Sequence, residues 1–273
     1  MGTMGPPRMP QPAPPPTVPL AHRDFGGSGE PPLVILHGML GSSRNWQTAG
    51  RDLAAARRTF ALDLRNHGMS PHAPSMAYDA LAADVVAWLD ARGIERAELI
   101  GHSLGGKVAM VAACRSPSRV ARLVVVDIAP KPYSWPQRRA EFAAMLALDL
   151  ASLRSRADAE RRLEGHIPSW PMRKFAVANL ERTPGGRWRW LVNLPVLAAA
   201  MPELERQPLG PDERFGGPAL FIAGARSAMV QPADAELIQR HFPAARLLTI
   251  PGAGHNPHVE AREAFVRAVC SGG

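Results

Sequence analysis

The sequence predicts an α/β protein, a doubly wound and mostly parallel β-sheet that carries an inserted helical subdomain. Three observations lead there. Short, mostly apolar runs recur at Leu33–Leu36, Phe60–Leu64, Ala97–Ile100, Leu123–Val126, Ala219–Ala223 and Leu247–Ile250. Runs of this length suit parallel strands buried on both faces. Between them, Trp46–Arg57, Tyr78–Arg92, Leu104–Cys114 and Ala233–His241 carry apolar residues at three- and four-residue spacing, and such alternation implies a parallel sheet flanked by helices. The alternation stops between 129 and 217. That gap far exceeds a βα connection of about 2–6 residues, so it reads as an inserted cap.

Taken in order, residues 1–19 hold eight of the 28 prolines and a single charge. They cannot bury enough surface to offset ordering entropy and read as a disordered leader. The leader has neither the apolar core of a secretory signal nor an Arg-rich amphipathic helix, which points to a cytoplasmic protein. Residues 20–128 and 218–273 form the sheet-bearing core. The cap, 129–217, contains only helix-like pieces, Gln137–Leu148, Ser152–Glu164, Met172–Leu180 and Leu191–Met201, punctuated by Pro168, Pro171, Pro184 and Pro202. Pro257–Val269 closes the chain as a last helix.

Composition bounds the rest. The 273 residues are 46% hydrophobic and 21% charged, which is globular and sufficient for a sizeable core. No apolar run approaches the roughly 18 residues of a membrane span, so no membrane insertion is expected. Cys114 and Cys270 are far apart, which argues against a disulfide scaffold or a cysteine-bound zinc and fits a reducing compartment. The net charge is +8, from 32 Lys plus Arg against 24 Asp plus Glu. The arginines are scattered rather than clustered, so a solvated basic surface is expected and nucleic acid is not. Oligomeric state is not written in the sequence.

Chemistry concentrates at strand ends. Gly101-His102-Ser103-Leu104-Gly105-Gly106 follows one strand and opens a helix, the context in which a G-x-S-x-G turn exposes a nucleophilic serine. Ser103 is therefore the candidate nucleophile. Its oxyanion donors are expected to be the N–H of Leu104 and that of Met39, which follows His37-Gly38 in the first strand's loop. His37 reads as a brace for that loop. The base belongs after the final strand, where glycines surround His255 in Ile250-Pro251-Gly252-Ala253-Gly254-His255, while His258 packs at the next helix start. The acid is less direct, because the strand ending Phe221-Ile222-Ala223-Gly224 is followed by no nearby carboxylate. Asp127 ends the buried run Leu123–Val126, and a buried carboxylate there needs a partner such as an imidazolium. Ser227, in the vacated acid position, is placed to hydrogen-bond within the triad, and Asp234 reads as a helix cap. Asp63-Leu64-Arg65-Asn66-His67 reads as polar bracing beneath the site. Trp188, Trp190, Phe175 and Met201 either line an acyl pocket or form the cap's own core.

These motifs resemble the α/β-hydrolase superfamily, and within it the small YbfF-type bacterial esterases related to mitochondrial abhydrolase-domain proteins. The resemblance covers about residues 32–270. It rests on LHGMLGS (36–42), DLRNHGMS (63–70), IGHSLGGK (100–107), DIAP with Tyr133 (127–133), WRWLVNLPVL (188–197), PALFI (218–222) and GAGH (252–255). It implies the α/β-hydrolase fold, an acid at Asp127 assisted by Ser227, no metal or cofactor, and hydrolysis of carboxylic esters or acyl thioesters including acyl-CoA. Asn256-Pro257 replaces a bulky aromatic found in such proteins, and agreement is weak over 135–187. The expected function is a serine hydrolase acting on a small-molecule ester or acyl-CoA. Two alternatives stand beside it, a carbon–carbon bond hydrolase with the same serine and a non-catalytic ligand-binding protein on the same fold. An aspartate-nucleophile dehalogenase or epoxide hydrolase is disfavoured by Ser103.

Overall fold

A computed structural model describes residues 15–271. The chain opens with β1 (His22–Gly26), β2 (Leu33–Leu36), α1 (Gln47–Ala54), β3 (Thr59–Leu62) and α2 (Tyr78–Asp90). It continues through β4 (Ala97–His102), α3 (Leu104–Arg115) and β5 (Val120–Val126). The cap then contributes α4 (Pro136–Ala147), α5 (Arg156–Leu163), α6 (Trp170–Val177), β6 (Leu180–Arg182), β7 (Trp188–Trp190), α7 (Leu194–Ala199) and α8 (Met201–Glu205). The core resumes with β8 (Ala219–Gly224), α9 (Ala235–His241), β9 (Ala245–Ile250), α10 (Pro257–Glu260) and α11 (Arg262–Cys270).

Seven strands form one sheet in the order β1-β3-β2-β4-β5-β8-β9, with β1 antiparallel to β3 and every other pair parallel. All six apolar runs lie in it. Alternate residues of each strand feed two cores. Leu36, Leu62, Leu99, Val125 and Phe221 face α2, α3 and the cap. Ile35, Ala61, Ile100, Val124 and Ile222 face α1 and α11. Helix α3 is buried all round from Leu104 to Ala113, in keeping with its central place and its apolar, small-residue sequence.

The cap carries a feature that the helix-like pattern did not predict. Residues expected to continue a helix to Leu180 instead leave α6 at Val177 and enter a two-stranded hairpin, with Leu180 opposite Trp190 and Arg182 opposite Trp188. Three-residue strands are too short to show a period of two, so the pattern had no way to display them. Strand β1 also escaped the reading, because HRDFG is a polar edge strand with no apolar run. Of the expected leader, residues 1–14 lie outside the described residues. The boundary at 19 is too late, because residues 15–19 run against the core. The Val18 N–H donates to Asp84 Oδ1 at 2.8 Å, and Arg65 Nη2 donates to the Pro16 carbonyl at 3.0 Å. Arg65 and Asp84 are themselves a buried bidentate pair at 2.6 and 2.8 Å, so these backbone contacts complete the hydrogen bonding of two buried charges.

Cap and core are joined by polar contacts through backbone carbonyls. Asn179 Nδ2 donates to the Leu40 carbonyl at 2.9 Å, and the Asn193 N–H donates to that of Asn66 at 3.0 Å. Lys107, fully buried on α3, donates to the carbonyls of Leu204 and Arg206 at 3.1 and 2.7 Å. The Tyr78 hydroxyl reaches the same Leu204 carbonyl at 2.6 Å. Among the described residues no helix is long and apolar enough to cross a membrane.

Candidate active site

The site assembles at the carboxyl ends of β2, β4, β5, β8 and β9. Ser103 sits between β4 and α3 with φ +52° and ψ −116°, a left-handed backbone that a non-glycine residue adopts only under constraint. The flanking glycines supply that constraint. A Cβ at Gly101 would lie 2.2 Å from the Gly105 carbonyl oxygen, and one at Gly105 would lie 2.4 Å from the Leu36 carbonyl oxygen. Only hydrogen at both positions lets α3 start this close to the ends of β4 and β2. The Ser103 N–H is held by the Val126 carbonyl at 3.0 Å.

The loop after β2 lies against this turn. A Cβ at Gly38 would stand 2.9 Å from His102 Nδ1 and 3.3 Å from Ser103 Cβ. In that loop Leu40 has φ +62°, its N–H donating to His67 Nε2 at 3.3 Å. The Gly41 N–H is taken by the Gly38 carbonyl at 2.9 Å. The Met39 N–H between them makes no hydrogen bond among the described residues. The Leu104 N–H is the first of α3, and the first N–H groups of a helix have no intrahelical acceptor. The Leu104 N–H follows Ser103 directly, at the positive end of the α3 dipole.

The acid position is built more tightly. Asp127 follows β5 with φ +51° and is completely buried. Its Oδ1 accepts from the Gly224 N–H at 3.0 Å. Its Oδ2 accepts from Ser227 Oγ at 2.5 Å and from His255 Nδ1 at 2.7 Å. Ser227 is half-buried in the loop after β8, and its oxygen in turn accepts from the Met229 N–H at 3.2 Å. Asp127, Ser227 and His255 are therefore brought together from three strand ends. Asp234 is elsewhere engaged, accepting from Lys131 Nζ at 2.6 Å and capping the Gln231 N–H at 2.8 Å.

The surrounding imidazoles are neutral props. Burial pulls the His67 ring down to about 3, helped by His37, and burial lowers His37 likewise. Uncharged, His37 accepts from the Leu64 N–H at 3.0 Å and donates to the Gly38 carbonyl at 2.8 Å. His102 is held well below the ordinary value by burial and by His258 and His255, and it donates to the His255 carbonyl at 2.8 Å. Burial takes His258 to about 3, and its ring stacks on Trp46 with centroids 4.1 Å apart. Asp63 accepts from the N–H groups of Ser43 and Met69 at 2.6 and 2.8 Å. Its role is to brace loops, as is that of Arg65 with Asp84.

The four aromatic or apolar cap candidates separate. Met201 is fully buried in the core. Trp188 is tied to the cap itself, its indole N–H donating to the Leu153 carbonyl at 2.9 Å, with the Arg182 guanidinium 5.0 Å over its ring. Trp190 is half-buried against the core. Phe175 lines a cavity of about 70 Å³ at the cap–core seam, with Leu40, Asp63, Met69, Asn179 and Leu191. Sequence reasoning missed Asn179 and Lys107. Asn179 carried no signal, whereas Lys107 is one of three lysines in the chain and lies on an otherwise apolar helix. Among the described residues no group of three or more His, Cys, Asp or Glu is arranged to hold a metal ion.

A parallel sheet with one antiparallel edge strand, a serine on a left-handed turn and an acid–imidazole pair from the ends of β5 and β9 define an α/β-hydrolase. A model of the alpha/beta hydrolase fold family matches residues 31–261, and the chain belongs to that family. It is 36% identical over 93% of its length to sn-1-specific diacylglycerol lipase ABHD11 of Mus musculus, covering 85% of that protein. It is also 36% identical to esterase YbfF of Escherichia coli, over 87% of this chain and 91% of that one. Among solved structures, a marine microorganism esterase superposes with a TM-score of 0.90 at 35% identity, covering 93% of this chain and 99% of the other. The chain belongs to the group of α/β-hydrolases that includes these esterases and lipases.

Proposed function

We propose that the protein hydrolyses carboxylic esters, and acyl thioesters by the same route, through an acyl-serine formed on Ser103. The observation that carries this reading is the buried Asp127 carboxylate bonded to His255 Nδ1 at 2.7 Å, beside a serine on a left-handed turn. A carboxylate there fixes the tautomer that leaves Nε2 free to accept a proton, and it stabilises the imidazolium that forms. Ser103 Oγ attacks the acyl carbonyl while His255 Nε2 takes its proton. The oxyanion is met by the Met39 and Leu104 N–H groups. Collapse expels the alcohol or thiol, which receives the proton from His255. Water then attacks the acyl-serine with His255 again as base, releasing the carboxylic acid and restoring Ser103. Esters are favoured as the principal substrate class because the relatives above bear esterase and lipase names. A fluorophosphonate probe tests the reading. The wild-type chain is expected to label at Ser103 and to hydrolyse p-nitrophenyl esters, whereas Ser103→Ala should do neither while retaining its fold. Absence of labelling in the wild-type chain, or near-wild-type turnover in the variant, would show that the serine is not the nucleophile.

A further inference from the structure

We propose that Tyr133 is a positioning residue for the reaction, its hydroxyl fixing the distance between the Asp127 loop and the Ser227 loop and so holding the carboxylate on His255. The proposal rests on the ester-hydrolase reading above. Tyr133 Oη accepts from the Ala129 N–H at 2.8 Å and donates to the Met229 carbonyl at 2.7 Å. Ala129 stands two residues after Asp127, and Met229 two residues after Ser227. Met229 also gives its N–H to Ser227 Oγ, and Ser227 Oγ donates to Asp127 Oδ2. The contacts close a circuit that runs from Asp127 through Ser227, Met229, Tyr133 and Ala129 back to Asp127. A non-glycine residue at φ +51° persists only where its surroundings over-determine it. This circuit is the over-determination, and Tyr133 is the member that spans the two loops.

The phenol is itself immobilised. Its ring stacks on Trp135 with centroids 5.4 Å apart and planes 18° from parallel. Lys107 Nζ and Lys131 Nζ stand 5.0 and 5.4 Å from the ring centroid, and the Tyr133 N–H donates to the Glu205 carbonyl at 2.7 Å. Desolvation raises the hydroxyl above its ordinary value, so it stays a protonated donor throughout any assay range. His255 faces three titratable groups, Asp127 at the end of β5, His102 from β4 and His258 from α10. The last two are neutral through burial, so the charge that faces His255 is that of Asp127.

Tyr133→Phe keeps the stacked ring and removes only the bridging oxygen. It is expected to lower kcat roughly tenfold, the size of one lost hydrogen bond, with KM within about twofold. In a Ser227→Ala background the circuit is already open, and Tyr133→Phe should then cost less than about twofold. Unchanged kcat, a loss that falls on KM instead, or a fall equally large in Ser227→Ala would overturn the proposal. A second measurement needs no variant at position 133. The chain has two tyrosines, so 3-fluorotyrosine labelling gives two fluorine resonances, and Tyr78→Phe identifies the other. The Tyr133 resonance should shift in Ser227→Ala, which opens the circuit, and an unchanged resonance would also overturn it. Failure of the ester-hydrolase reading is separate, since it appears as unlabelled Ser103 in the wild-type chain whatever Tyr133 does.

Discussion

Replacing Asp127 with Asn is the sharpest test of the site, because the geometry frustrates the amide in either orientation. Asparagine tolerates left-handed backbone, so φ +51° adds no new strain. The carboxylate accepts three hydrogen bonds, one on Oδ1 from Gly224 and two on Oδ2 from Ser227 and His255. With the amide nitrogen at the Oδ2 position, His255 must turn Nδ1 into an acceptor, and its proton moves to Nε2, where Ser103 needs a base. With the nitrogen at the Oδ1 position, it meets the Gly224 N–H donor to donor in a fully buried site, a clash of about 1–3 kcal/mol. Both arrangements also remove the negative charge that stabilises the imidazolium. The same replacement in serine proteases lowers kcat by about 10⁴, equivalent to about 5.5 kcal/mol of barrier. A loss of that order is expected here in steady-state hydrolysis of p-nitrophenyl butyrate. Asp234→Asn, at a carboxylate occupied by Lys131, should stay within about twofold. A loss under tenfold for Asp127→Asn, or a larger one for Asp234→Asn, would refute the assignment of the acid.

Two other outcomes follow from the geometry. Burial pushes Lys107 from 10.5 down to about 7, opposed by Glu205 and Glu203. The unfolded chain therefore holds one proton more between pH 7 and 10.5, and stability rises with pH across that window, by at most about 5 kcal/mol. Lys107→Met should remove this rise, so parallel denaturation curves for wild type and variant from pH 6 to 10 would contradict it. On the cap, residues 129–217 carry 14 Lys plus Arg against 10 Asp plus Glu, yet Arg189 Nε is already paired with Glu181 at 2.6 Å. An acyl-CoA and a neutral ester of equal chain length should thus lose kcat/KM alike when salt is raised from about 20 to 300 mM. A marked fall for the thioester alone would instead show arginine holding phosphate.

What could be read from the sequence depended on where each signal resides. Ser103 and His255 lie among local glycines whose spacing is itself the signal. Asp127 was legible because a carboxylate closing the run Leu123–Val126 must have a partner, although the partner's identity needed the sheet. Lys107 and Tyr133 stand in motifs without a role, because the carbonyls they donate to lie about a hundred residues away, and a carbonyl has no residue type. The end of the leader was misplaced for a related reason. Val18 and Pro16 contribute backbone atoms to Arg65 and Asp84, and proline-rich composition does not reveal such a contact.

The cap leaves the sheet after Val126 and returns at Ala219, and the two strands it joins are neighbours, with Leu123 beside Ala219 and Val126 beside Ile222. Parallel neighbours stand about 4.8 Å apart and the loop's ends are offset by three residues, about 10 Å along the strand, so the sheet rather than the cap holds them close. Closure entropy grows slowly with length, at about 0.6 kcal/mol for each doubling. The insertion can therefore change length in its outer parts at little closure penalty, provided it keeps Tyr133 and the carbonyls of Leu204 and Arg206 that meet Lys107. Asp127 directly follows β5, its N–H held by the Ile222 carbonyl at 2.8 Å, and Ser227 lies beyond the far end of β8, so both are tied to the sheet. The rest of the cap can vary while the contacts among Asp127, Ser227 and His255 stay anchored.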